Sequence, residues 1–107
     1  APADGEAMAA RRKLGLNGLV SVALAVTPEG RLASSVDIGS IGLPLDEDMD
    51  QFVQEAQADA AQAVKDLKGD RKRDRLAVAE TVRLAVRRAA QRWSGKKPVV
   101  QVLLREG

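Results

Sequence analysis

Apolar residues recur every three or four positions from Met49 to Leu67 and again from Val78 to Trp93. On either side of that region they recur at every second position or run together. This switch of period restricts the fold more than any other feature of the chain. A stripe with a period near 3.6 can be buried on one side only as a helix, and alternation only as a strand. Each such element hides one face, so the elements must close on one another.

Leu19–Val26 reads as the first strand, with Val20, Val22, Leu24 and Val26 on one face and Ser21, Ala23 and Ala25 on the other. Thr27-Pro28-Glu29-Gly30 is a turn, and Arg31–Ile38 reads as the hairpin partner, ended by a loop holding Gly39, Gly42 and Pro44. A helix is expected over Asp46–Leu67, its stripe being Met49, Phe52, Val53, Ala56, Ala60, Ala63, Val64 and Leu67, with Gly69 as its stop. A second starts near Asp70–Asp74 and runs to about Trp93, with Val78, Ala79, Val82, Ala85 or Val86, Ala89 and Trp93 inward and Ser94-Gly95 ending it. Pro98–Arg105 is the last strand, and its nearly continuous apolar run predicts fuller cover than the others. The expected fold is α+β: a two-layer domain whose three-stranded sheet is covered on one face by two helices, in the order β-β-α-α-β. The place of the third strand in the sheet does not follow from this order. Residues 1–10, small and partly acidic, read as a linker or disordered lead-in, and 11–107 as a single domain that opens with Arg11–Leu16 as a last helical turn. The start at Ala1 rather than Met is what a fragment or a processed product is expected to show.

Composition matters mainly for what it removes. There is no cysteine and no histidine. Disulfides, thiolate nucleophiles, Ser-His-Asp triads and histidine-bound zinc are therefore excluded. No run is apolar enough to span a membrane, and Ala1–Ala10 is not followed by the apolar stretch of a signal peptide. A cytoplasmic location is expected. With Phe52 and Trp93 as the only aromatics, the core must be built from Ala, Val, Leu and Ile.

Charge is unevenly placed. Residues 46–66 hold the acids Asp46, Glu47, Asp48, Asp50, Glu55, Asp59 and Asp66 against Lys65 alone, whereas residues 70–97 are strongly basic. The acids at 46–50 lack the spaced glycine and distal glutamate of a calcium loop and suit the start of a helix. Gly39-Ser40-Ile41-Gly42 lacks the lysine of a phosphate loop. Neither a catalytic nor a metal-binding residue is assigned. The basic residues Arg83, Arg87, Arg88, Arg92, Lys96 and Lys97 are the candidate contacts, for RNA phosphates or for acids of a partner or of the acidic helix, set against the ordinary reading of a solvated charged face.

Two separated stretches carry a resemblance. Ala10-Arg-Arg-Lys-Leu-Gly-Leu-Asn-Gly-Leu-Val20 runs into the first strand, and Val86-Arg-Arg-Ala-Ala-Gln-Arg-Trp93 precedes Gly95-Lys-Lys-Pro-Val-Val100. Together, across roughly residues 10–105, they resemble the C-terminal domain of bacterial ribonuclease J. The stretch before Gly95 is about a residue shorter than the family form, and Gln101 stands where proline is common. The resemblance implies a parent of the metallo-β-lactamase and beta-CASP class, a 5′-to-3′ exonuclease and endonuclease with two zinc ions. The histidine- and aspartate-rich motif holding those metals is absent here, so no cofactor is expected in this domain. The resemblance also implies a three-stranded sheet with two helices, joined by a linker to the catalytic domains and supporting assembly as a dimer or tetramer.

Three readings follow. The first is a non-catalytic accessory domain supporting homo-oligomer assembly and the activity of a catalytic core, its interface an open sheet face or free strand edge. The second is an auxiliary RNA-binding module using the basic helix. The third, a small enzyme working through carboxylates, has no inward-facing acid pair to support it.

Overall fold

The computed structural model describes residues 18–107, so the expected linker and the helical turn at Arg11–Leu16 lie outside the described residues. In order, the elements are β1 (Leu19–Val26), β2 (Asp37–Ile41), α1 (Met49–Asp66), α2 (Arg75–Ser94) and β3 (Val99–Glu106). The α+β architecture and the β-β-α-α-β order match the periodicity. Short 3-10 segments at Asp46–Asp48 and Gly69–Arg73 lead into the two helices.

β1 is the central strand: the sheet order is β2-β1-β3, with β2 antiparallel and β3 parallel to β1. A helical pair between β1 and β3 is the crossover that a parallel pairing needs. The inward row Val20, Val22, Leu24 and Val26 meets Phe52, Ala56, Ala60 and Val64 of α1 and Val78, Val82, Val86, Ala89 and Ala90 of α2. Phe52 is the largest fully buried side chain. The alanines of both helices let the backbones approach closely, which is how a core with one buried aromatic ring can pack densely.

The hairpin departs from expectation. The second strand is Asp37–Ile41 rather than Arg31–Ile38. Val26 pairs with Leu32 through one isolated bridge, and the Ala33 N–H donates to the Ala25 carbonyl. Ser34 then interrupts the ladder, because its Oγ accepts the Ala25 N–H at 3.1 Å in place of a strand carbonyl. Pairing resumes at Asp37 opposite Ala23. Only Leu24 separates the two partners in β1, whereas 34–36 separate theirs, so the returning chain carries a two-residue bulge. Two extra residues preserve the alternation: Val36 is buried and Ile38 packs on the core. Gly39, expected in the terminating loop, lies inside β2.

The helix ends show why a glycine signal was misplaced. α1 stops at Asp66, and Leu67 turns extended (φ −66°, ψ 138°) and is buried. Two residues thus separate the helix end from Gly69, which at φ 65° instead opens the next short turn. Asp74 caps α2 by accepting the Leu76 N–H at 3.0 Å. Gly95, at φ 70°, closes α2, its N–H donating to the Gln91 carbonyl.

β3 also differs from expectation. Its apolar run is an edge strand with one covered face, so Val100 is buried while Leu103 is 68% exposed. Being apolar on both faces did not bring cover to both.

Candidate interaction surface

The basic residues singled out in the sequence do not form one ridge. Nine residues at about 100° each put Arg83 and Arg92 on opposite sides of α2. Arg83 and Arg87 share one flank, while Arg88 and Arg92 border α1. The Arg83 guanidinium donates to both oxygens of Glu80, at 2.9 and 2.5 Å. This pair holds the Glu80 carboxyl below its ordinary range and raises Arg83. Arg92 Nη2 donates across to α1, at 2.7 Å to Glu55 and 2.5 Å to Asp59. The other Glu55 oxygen accepts the indole N–H of Trp93. Glu55 is consequently lowered, first by Trp93 and then by Arg92. The uneven charge thus has an internal use, with the basic helix clasping the acidic one. Lys96 and Lys97 are exposed in the α2–β3 connection.

Among the described residues, no group of three or more His, Cys, Asp or Glu side chains is placed to hold a metal ion. No described helix is long and apolar enough to cross a membrane. No buried side-chain N or O atom lacks a partner among the described residues. Nothing in this donor set fits the zinc pair implied for a catalytic parent.

The most distinctive surface is the sheet face turned away from the helices. The register stacks it in rows: Ile41–Leu19–Val99, Gly39–Ser21–Gln101 and Asp37–Ala23–Leu103. Ala25 belongs to this face by alternation but is buried, because Gly107 packs against Ala25 and Ala33 and closes that end. Ile41 and Leu103 stand 66% and 68% exposed on opposite edge strands. Between them the small residues leave a shallow depression of about 920 Å³ along Ser21, Ala23, Asp37, Gly39, Gln101 and Leu103, which also reaches Gln57 of α1.

The strand edges are unequal. β2 has only five residues, and Gln57 of α1 donates to the Val36 carbonyl just before it. β3 has eight, and its bonds to β1 begin with Val99 N–H to Gly18 O and close with Gly107 N–H to Val26 O. By alternation, the backbone groups of Val100, Val102, Leu104 and Glu106 face outward. Sequence reasoning missed Ile41 by placing it in a loop, and missed Leu103 by reading β3 as covered. Alternation within β3 was the available signal for Leu103.

The ribonuclease J C-terminal domain family matches residues 6–107, nearly the whole chain. The chain belongs to the ribonuclease J C-terminal domain family. It is also 34% identical over 95 residues to ribonuclease J of Sinorhizobium meliloti, covering 88% of this chain. It spans 17% of that relative's length. The fold agrees with what the resemblance of the two motifs implied. Of those motifs, Val86–Trp93 forms the last half of α2, and Gly95–Val100 forms its stop and the start of β3.

Proposed function

We propose that this chain is a non-catalytic accessory domain of a ribonuclease J-like enzyme, supporting assembly of the enzyme and thereby the activity of its catalytic core. In this reading the parent hydrolyses RNA as an exonuclease and endonuclease in the cytoplasm. Its zinc-bearing domains lie outside this chain.

The observation that supports the assembly role is the open sheet face, where Ile41 and Leu103 stand exposed on either side of a shallow hollow. A two-fold axis along β1 lays β2 of one copy over β3 of the other. Leu103 then sits over the Asp37–Gly39 side of the partner's hollow. Asp37 falls one row from the opposing Arg105, giving two opposite-charge pairs. The face is about 26 Å by 14 Å, from eight residues at ~3.3 Å and three strands at ~4.8 Å. Two copies bury on the order of 750 Å² of it, less than the ~1,200 Å² usual for a stable interface. The isolated domain is therefore expected to self-associate weakly, and stable assembly needs further contacts from the rest of the enzyme.

Sedimentation of the full-length enzyme, intact and with Leu103→Arg or Ile41→Lys, tests this. A shift toward smaller species is expected. Assembly unchanged after removal of residues 18–107 refutes the assembly role. Assembly that needs the domain but ignores both substitutions refutes the choice of face.

A further inference from the structure

A second surface lies on the helix side of the sheet. The 27–30 turn is pinned by hydrogen bonds from Thr27 N–H to Arg31 O (2.7 Å), Gly30 N–H to Thr27 O (2.9 Å) and Arg31 N–H to Thr27 Oγ1 (3.1 Å). Gly30 packs directly on the backbone and side chain of Lys72. These contacts hold Arg31 and Lys72 at the mouth of a groove of about 560 Å³. Its floor is apolar, formed by Leu32, Ala58, Ala61 and Val64, and its charged lining is Arg31, Lys65 and Lys72, with no acid among them. None of these three cations has a carboxylate within 4 Å among the described residues. The one neutral polar side chain of the lining, Gln62, donates its amide to Asp66. Lys68, Arg71 and Arg73, in and next to the Gly69–Arg73 turn, are exposed, as is the single acid Asp70 between them.

We propose that this groove binds single-stranded RNA, with a base on the alanine floor and neighbouring phosphates on Arg31, Lys65 and Lys72. Cations spread around a methyl-lined floor fit a ligand that alternates a flat apolar group with anions. An extended acidic peptide would need hydrogen-bonding partners along its backbone, and the groove lining offers one neutral polar side chain, Gln62. The site differs from the α2 residues picked out in the sequence, where Arg83 and Arg92 already hold carboxylates of the chain. It rests on the proposed link to an RNA-hydrolysing parent, but not on assembly through the sheet face.

The test is fluorescence anisotropy of a short labelled oligouridylate with the 107-residue chain at different salt concentrations. Three phosphate contacts predict a log–log slope of about −2, or ~20-fold weaker binding at 200 mM than at 50 mM salt. Arg31→Gln with Lys65→Gln and Lys72→Gln should remove binding. Lys65→Gln alone, at an exposed position, should reduce the slope by about 0.7 and serves if the triple variant does not fold. Arg87→Gln with Arg88→Gln, Lys96→Gln and Lys97→Gln should leave binding intact. No binding at 50 mM salt, binding indifferent to the groove variants, or loss only in the α2 variant overturns the proposal. Tighter binding of an acidic peptide than of RNA overturns it in favour of a protein partner. The Leu103→Arg chain should still bind RNA, so failure of the groove and failure of the assembly face are read separately.

Discussion

Three glycines separate the cost of backbone conformation from that of crowding. Gly39 has ordinary φ and nothing within 4 Å of an added Cβ; Gly69 has φ 65° with the same open space; Gly30 has φ 87°. A Cβ on Gly30 would stand 2.5 Å from Lys72 Cγ and 2.8 Å from its carbonyl carbon, with the carbonyl oxygen closer still. Gly39→Ala is expected to be neutral or to stabilise by about 0.5 kcal/mol, since it only narrows the unfolded ensemble. Gly69→Ala should cost about 1 kcal/mol, the left-handed penalty of an L-residue. Gly30→Ala adds displacement of the Gly69–Arg73 turn by about 1 Å and loss of the Lys72 packing, an expected total of about 3 kcal/mol. In a domain of this size that lowers the thermal midpoint by roughly 12–24 °C. Urea and thermal unfolding of the three single variants provide the measurement. If Gly30→Ala costs no more than Gly69→Ala, the contact with Lys72 is not tight and the groove is not pre-formed.

Phe52→Ala should destabilise by about 3–5 kcal/mol, because the ring is fully buried among small side chains that cannot collapse into the space; a loss under 1 kcal/mol in urea unfolding would contradict that packing. Glu55→Gln should shift the emission of Trp93, the lone tryptophan, by changing the acceptor of its indole N–H. The folded-state carboxyl of Glu55 is depressed, so its stabilising effect is present above the ordinary value of 4.5 and lost as pH falls through its lowered folded value. The stability difference between the wild type and Glu55→Gln should therefore shrink on acidification below about 4.5, and a difference that grew would refute the assignment.

Much of the candidate surface was illegible in sequence for definable reasons. A local pattern reports which face of an element is apolar, but not how many neighbours that element acquires. Val99–Leu104 has the composition of a doubly covered strand and nevertheless sits at an edge. The Ser34 bulge rests on one hydroxyl taking a ladder donor, and no periodicity signals that. Arg31, Lys65 and Lys72 are far apart in the chain and met only because the 27–30 turn and the segment after α1 pack together.

The sequence by itself determined the element types and order, through a change of period that only strands and helices can satisfy. It determined the absence of histidine and cysteine chemistry, because those residues do not occur. It also determined the family, through two spaced motifs. Tertiary structure alone decided that β1 is central, that β3 runs parallel at the edge, and that the acidic and basic helices pair with each other. Those outcomes depend on contacts between residues distant in the chain, whose energies compete across the whole fold and leave no local trace.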